Sequence, residues 1–300
     1  MKVVVPWPVA DQQSAPLPAD VELVSWIGGD PPAEALDAPF VMAPYSAGKP
    51  GRLAMFTDLQ VVLTQSAGVD WVISQVPPGV ALCDASGVHD RSTSEWVLTA
   101  ILASIRQIPR FVRQQDAHVW QAKDTTELAG RRVLIVGYGS IGSAIERRLA
   151  GFEVEITKVA RRARAGVHSI DELPGLLPYA DVVVVIVPLT DQTRALVDAG
   201  FLAGLPDGAL LVNASRGPVV DADALLAELH SGRITAAIDV TDQEPLPADD
   251  PLWLAPGLLL TPHIGGDTTN YRGRLHSLVR DQVVRHLAGQ PLVNMVADGY

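Results

Sequence analysis

The sequence has a single cysteine, Cys83, among 300 residues. One thiol cannot close an intrachain disulfide, and so sparing a use of cysteine fits a reducing compartment. There is no run of ~18 uninterrupted apolar residues, the length a membrane-spanning helix needs. The most apolar stretch, "VVVVIVPL" (182–189), has the length of a buried strand. The opening "MKVVVPWPVAD" turns polar too soon for a signal peptide, so the chain is expected in the cytoplasm. Bases are in deficit, with 23 Lys and Arg against 34 Asp and Glu and a formal net charge of −11. That balance argues against a nucleic-acid partner, because binding phosphate backbones needs a basic face. No His/Cys cluster has metal-ligand spacing, so no metal is expected. Internal repeats and low-complexity tails are also missing. What the chain does have is 48% hydrophobic and 19% charged residues, the composition of a soluble globular protein with a large core. Its length suits one large domain or two ordinary ones.

Short apolar segments alternate with helical patterns. "LQVVLTQ" (59–65), "RRVLIVG" (131–137), "EVEITKV" (153–159), "DVVVVIV" (181–187), "GALLVNA" (208–214), "ITAAIDV" (234–240) and "GLLLTP" (257–262) read as strands. Strands apolar on both faces suit a parallel sheet covered by helices on both sides, an α/β class. Between them, "IGSAIERRLAG" ends on Gly151 as a C-cap, and "DADALLAELHSG" opens on the N-cap Asp221 and ends at Gly232. The first ~90 residues are proline-rich, with strands separated by loops. The pattern "STSEWVLTAILASIRQIPRF" (92–111) reads as one long helix, and a domain boundary is expected near residue 94. The segment "NYRGRLHSLVRDQVVRHLAG" is helical, and the sequence alone does not say which domain it covers.

"VLIVGYGSIGSAIERRL" places Gly137, Gly139 and Gly142 as G-x-G-x-x-G. The spacing alone is weak, but here it follows an apolar strand and opens a helix, as the mechanism requires. Gly137 permits a tight turn, Gly139 lets the backbone approach a pyrophosphate, and Gly142 lets the helix pack on the strand. The helix N-terminus then offers unpaired N–H groups to the phosphates.

In an open α/β sheet, ligands bind outside the carboxyl ends of the strands. Three polar residues follow successive strands there: Arg216 in "NASRGPVVD", Glu244 in "DVTDQEPLP" and His263 in "TPHIGG". Any one alone could be a surface Arg, a loop Glu or a core His. Together they point to a site. Hydride delivery to a carbonyl carbon leaves charge on oxygen, which a cation stabilises and a general acid protonates. Arg216 suits the first role and can hold a neighbouring carboxylate with its planar fork. His263 suits the second, and Glu244 can orient its ring and favour the imidazolium.

These motifs resemble the NAD(P)-dependent D-isomer-specific 2-hydroxyacid dehydrogenases over about residues 60 to 290. The resemblance rests on "VGYGSIG", "VPLTDQTRALVD", "LVNASRGPVVD", "AAIDVTDQEPLP" and "TPHIGG", in that order. It is closest to the shorter glyoxylate/hydroxypyruvate reductases. It implies two doubly wound parallel-sheet domains with a cleft between them. A flavodoxin-like substrate domain would take residues 1–94 and 269–300, completed by the C-terminal helix, and a Rossmann NADP-binding domain residues 95–268. It implies Arg216, Glu244 and His263 as catalytic residues. It implies cofactor contacts at Ser140, Ile141, Val187, Pro188, Thr193, Ala214, Ser215 and Gly265, and at Asp239 for the nicotinamide carboxamide. In "SAGVD", backbone N–H groups at Ala67 and Gly68 would take the substrate carboxylate, with Tyr45 facing the substrate. Relatives are usually homodimers, and some insert a tryptophan into the partner's pocket. Trp120 could do so, although local packing is its more ordinary role.

NAD-preferring relatives end the second strand with an acid that holds the ribose hydroxyls. Here that position is Ala160, followed by Arg161 and Arg162 within "KVARRARAG" (158–166). A 2′-phosphate would meet no like charge there, so NADP(H) is expected over NAD(H). The leading expectation is a reductase of small 2-oxo acids such as glyoxylate or hydroxypyruvate. The alternatives are a phosphoglycerate-type dehydrogenase and a non-catalytic, corepressor-like dinucleotide-binding protein.

Overall fold

A computed structural model describes residues 1–296. The chain divides into two compact units, Met1–His89 with Thr268–Tyr300, and Asp90–Asp267.

The first unit holds five strands: β1 (Lys2–Val5), β2 (Glu22–Ser25), β3 (Phe40–Met42), β4 (Val61–Leu63) and β5 (Ala81–Cys83). They run parallel in the order β2-β1-β3-β4-β5, the flavodoxin-like order. Side chains alternate across the sheet. Val4, Val41 and Val62 therefore join a core with Trp26 and Phe56 on one face. Val3, Val5, Phe40, Met42, Val61 and Leu63 enter a second core on the other. The connections contain 3-10 turns such as Ala33–Ala35 and Tyr45–Gly48, each preceded by a proline at its N-cap. Proline fixes φ and removes a donor, which favours short turns over long helices in this region.

The second unit holds seven strands: β6 (Arg132–Val136), β7 (Glu155–Ala160), β8 (His168–Ser169), β9 (Val182–Val185), β10 (Leu210–Asn213), β11 (Thr235–Ile238) and β12 (Leu258–Leu260). All pairings are parallel, in the order β12-β11-β10-β9-β6-β7-β8. This is the doubly wound Rossmann order carried one strand further. Its helices are α1 (Asp90–Ile105), α2 (Ile108–Asp116), α3 (Ser140–Leu149), α4 (Leu173–Leu176), α5 (Ala199–Ala203) and α6 (Ala222–Ser231). Val97 and Ile101 of α1 and Ile145 and Leu149 of α3 cover one face. Phe201 of α5 and Leu225 and Leu229 of α6 cover the other. The C-terminal helix α7 (Tyr271–Leu287) belongs to the first unit, where Leu275, Val279 and Val283 pack on the core containing Val3 and Val5.

Two local expectations are corrected. Residues 92–111 do not form one helix: α1 ends at Ile105, Gln107 takes a left-handed φ of 52°, and α2 starts afresh with Pro109 in its first turn. A proline at 109 would clash with the Ile105 carbonyl in a continuous helix, so the chain breaks there. Gly151 is not a left-handed cap. Glu153 takes the positive φ instead, at 55°, and its carbonyl accepts from Gly130 N. Asp221 does cap α6, accepting from Ala224 N at 3.0 Å, and Gly232 ends it at φ 72°.

Candidate active site

The glycine turn sits at the switch point of the second sheet, between β6 and α3. Gly137 has φ 108°, and a Cβ there would run into the Ile186 carbonyl at the end of β9. A Cβ at Gly142 would lie 2.6 Å from the Gly137 carbonyl oxygen, so its absence lets α3 seat on the turn. A Cβ at Gly139 would meet nothing within 4 Å. That glycine relieves no clash inside the protein; it leaves exposed backbone at the N-terminus of α3, the room a pyrophosphate needs. Ser140 there donates to Asp90 Oδ1 at 3.0 Å, and Ile141 packs under the turn. The turn fits a dinucleotide.

β7 ends at Ala160, so no carboxylate stands at the strand's end. The bases on either side of Ala160 are divided. Lys158 Nζ lies 2.8 Å from Glu146 Oε1. That bond holds the Glu146 carboxyl below its ordinary range, helped by the Tyr138 hydroxyl, and raises the Lys158 ammonium. Arg164 donates to the Tyr138 carbonyl at 2.5 Å. Arg161 and Arg162 occupy the exposed bend between them.

Arg216, Glu244 and His263 follow β10, β11 and β12, so all three stand at the carboxyl edge of one sheet. His263 Nδ1 lies 2.6 Å from Glu244 Oε2. A carboxylate only accepts, so Nδ1 carries the hydrogen and Nε2 is left for a ligand. Glu244 is itself held by Thr241 N, 3.1 Å from Oε1. His263 sits at φ 54°, a left-handed conformation that costs about 1–2 kcal/mol outside glycine. Asp239, buried at the end of β11, offsets that strain. Its carbonyl accepts from His263 N at 2.8 Å. Its carboxylate accepts from Thr261 Oγ1 at 2.6 Å, Ile264 N at 2.9 Å and Gly265 N at 2.7 Å. A Cβ on Gly265 would crowd Asp239 Oδ2 at 2.8 Å, which gives this glycine a packing reason of its own.

The Arg216 loop is braced in the same way. Asn213 donates to the Arg216 carbonyl at 3.1 Å and accepts from Ser215 N and Oγ at 3.0 and 2.6 Å. Arg216 donates to the Ser215 carbonyl at 2.9 Å. Gly217 abuts Thr241 so closely that a Cβ would overlap its carbonyl carbon. This contact seats the Arg216 loop on the loop that carries Glu244. Sequence reasoning missed Asn213 and Gly217 and saw Asp239 only as a cofactor contact. The signal was a polar or acidic residue ending an otherwise apolar strand.

Among the other expected cofactor positions, Thr193 shapes the loop after β9 by donating to the Pro188 carbonyl at 2.6 Å, with Val187 against the core. Ala214 packs with the α1–α3 layer. Ala67, Gly68 and Tyr45 lie in the first unit, and Trp71 joins Gly68 to Tyr45. Trp71 Nε1 donates to the Gly68 carbonyl at 3.1 Å, and its ring lies 5.0 Å from that of Tyr45. Trp120 is not a packing anchor within the chain, because it is 100% exposed.

Comparison with known proteins agrees with this geometry. Residues 98–265, more than half of the chain, match the family model described as D-isomer specific 2-hydroxyacid dehydrogenase, NAD binding domain. The chain belongs to the D-isomer specific 2-hydroxyacid dehydrogenase family. The matched span of this 2-hydroxyacid dehydrogenase family contains the glycine turn and all three of Arg216, Glu244 and His263. A glyoxylate reductase of Thermofilum pendens is 33% identical over 250 residues, covering 78% of this chain and 73% of that protein. A family member from Xanthobacter autotrophicus, solved with NADPH and MES, is 31% identical with a TM-score of 0.82 and covers 99% of each chain. An NADPH-dependent glyoxylate/hydroxypyruvate reductase of Sinorhizobium meliloti, solved with NADP and sulfate, is 26% identical with a TM-score of 0.84 and covers 99% of this chain and 98% of that one. The chain spans about half, 47%, of the D-3-phosphoglycerate dehydrogenase of Archaeoglobus fulgidus that it also matches. Among the described residues, no helix is long and apolar enough to cross a membrane.

Proposed function

We propose that the chain reduces small 2-oxo acids, of the glyoxylate or hydroxypyruvate class, to D-2-hydroxy acids with NADP(H) in preference to NAD(H). The observation that carries the reading is the His263–Glu244 contact of 2.6 Å on the sheet edge that also bears Arg216. When bound, the nicotinamide supplies the hydride. Arg216 holds the carbonyl oxygen and gives the developing negative charge a cation. His263 Nε2 presents a proton to that oxygen, and Glu244 fixes the orientation of the ring from the Nδ1 side. Ala67 and Gly68 are the proposed carboxylate-binding positions of the first unit, with Tyr45 linked to Gly68 through Trp71.

The cofactor preference is supported by Ala160 in the place of a ribose-binding acid and by the arginines that follow. Absorbance at 340 nm with NADPH or NADH and a panel of 2-oxo acids, 3-phosphohydroxypyruvate included, tests both parts. We expect kcat/KM at least about tenfold higher with NADPH. Equal or better turnover with NADH sinks the cofactor assignment. No turnover of any panel member favours a dinucleotide-binding role without catalysis.

A cytoplasmic homodimer completes the reading. The lone buried Cys83 supports the location. Exposed Ile108 and Val112 on α2, with exposed Val119 and Trp120 after it, support a second copy as partner.

A further inference from the structure

The residue between the first two glycines of the turn, Tyr138, is held at every end. Its N–H donates to the Val159 carbonyl at 2.9 Å, and its hydroxyl donates to Glu146. Two cations lie over its ring: Lys158 Nζ is 5.2 Å and Arg164 Cζ 5.6 Å from the ring centroid. Its carbonyl accepts from Arg164 Nη2 at 2.5 Å. The Arg164 backbone is fixed as well. Arg164 and Val167 exchange both hydrogen bonds, 3.0 and 2.8 Å, across a two-residue turn closed by Gly166 at φ 70°. A two-residue hairpin turn of this kind allows Arg164 little backbone freedom.

The four bases of "KVARRARAG" therefore have different duties. Lys158 neutralises Glu146, which would otherwise repel an anion at the end of β7. Arg164 is seated on the glycine turn itself, although it lies 26 residues on in sequence. A guanidinium has five N–H donors in a planar fork, and the bond to Tyr138 uses one. An arginine held by ring and carbonyl loses less rotamer freedom on meeting a ligand than a solvated one does. A planar fork suits a phosphate monoester, which can take two of its N–H groups at once.

We infer that Arg164, positioned by Tyr138, reads the 2′-phosphate on the adenosine ribose of NADP(H). The inference rests on the cofactor reading above and names a residue and a device beyond Arg161 and Arg162. The pyrophosphate belongs to the α3 N-terminus, whereas Arg164 reaches the turn from the β7 end, where the ribose acid is missing.

Calorimetric titration of the full chain with adenosine 2′,5′-bisphosphate, adenosine 5′-diphosphate and adenosine 5′-monophosphate tests this without turnover. We expect wild type to prefer the 2′,5′-bisphosphate over the monophosphate. Arg164→Ala should weaken the 2′,5′-bisphosphate by about tenfold or more while leaving the 5′-diphosphate within about twofold. Tyr138→Phe, which keeps the ring, should retain the preference, and Tyr138→Leu should lose it as Arg164→Ala does. If Tyr138→Leu does not fold, Arg164→Ala and Arg164→Gln still decide. An unchanged preference in Arg164→Ala overturns the inference and leaves the NADP(H) reading standing. Equal weakening of the 2′,5′-bisphosphate and the 5′-diphosphate also overturns it, since Arg164 then reads the 5′-phosphate that the two ligands share. A wild type with no preference for the 2′-phosphate removes the cofactor reading and this inference together.

Discussion

At Gly139 an added methyl group would meet no protein atom within 4 Å, whereas at Gly137 it would strike the Ile186 carbonyl. Gly139 also has φ −98°, which alanine can adopt, while Gly137 at 108° is strained for any other residue. The two positions of one motif therefore answer to different constraints. Gly139→Ala should leave stability within about 1 kcal/mol of wild type, the typical size of an N-cap exchange to alanine. It should nonetheless weaken NADPH binding at least tenfold, because the methyl group occupies the ligand's space. Gly137→Ala should cost about 3 kcal/mol or more from overlap and backbone strain together, lowering Tm by roughly 6–12 °C for a unit of this size. Thermal unfolding and a fluorescence titration with NADPH separate the two effects. Wild-type NADPH affinity in Gly139→Ala would show that the pyrophosphate does not pass over this backbone. Asp239 illustrates the same point from the polar side. Its carboxylate accepts three hydrogen bonds from the His263 loop, so it fixes where His263 stands.

Among the elements, β6, β7, β9, β10, β11 and β12 of the second unit were legible as short, mostly apolar runs bounded by Gly, Pro or a polar residue, whereas β8, only His168 and Ser169, carries no such pattern and was not. The glycine turn was legible because its spacing, preceding strand and following helix all agree. The α1–α2 break was written in Pro109, but the helical periodicity runs across it and hides the left-handed Gln107. The braces at Asn213, Gly217 and Asp239 were not legible, because each depends on which loops the parallel register brings together. The division of the basic stretch was hidden for the same reason: Glu146 and Tyr138 meet Lys158 and Arg164 only across the β6–β7 pairing and the turn that follows β6. α2 carries apolar surface that nothing within the chain covers, since Ile108 and Val112 lie one helical turn apart and both are exposed. Leaving a tryptophan in water forgoes about 2 kcal/mol or more of burial, so a fully exposed Trp120 beside this face argues for a partner. Val112→Asp with Trp120→Ala should therefore shift the mass found by light scattering from a dimer to a monomer, with far-ultraviolet circular dichroism unchanged. Retention of the dimer would place its interface elsewhere.

For the molecule as a whole, a net charge of −11 opposes the approach of an anionic cofactor and an anionic acid. On the proposed reading, the local bases at the β7 end and at Arg216 offset that background where the cofactor and the acid would bind. Charge also couples to stability through His276 in the first unit. It lies on α7, 5% exposed, with its ring 4.7 Å from that of Trp7. Gln12 is buried beside the same cluster, accepting from Trp7 Nε1 at 3.1 Å. Burial holds the imidazole below its ordinary value near 6.5; Asp11 opposes the shift and Arg272 adds to it. The unfolded chain thus takes up a proton near pH 6.5 that the folded chain refuses until lower pH. Between those points the unfolded state binds more protons, so stability falls as pH drops below about 6.5 and is unaffected by this group above pH 7.5. One such proton gives a slope of at most about 1.4 kcal/mol per pH unit. Asp84, whose carboxyl is raised by burial, works with the opposite sign from its ordinary 3.8 upward, so pH 7.5 to 5.5 is the range to use. Urea unfolding followed by tryptophan fluorescence should show wild type losing stability across that range. His276→Gln, whatever its absolute stability, should show a shallower slope. Equal slopes in the two proteins would mean that His276 takes up its proton in the folded state as readily as in the unfolded one.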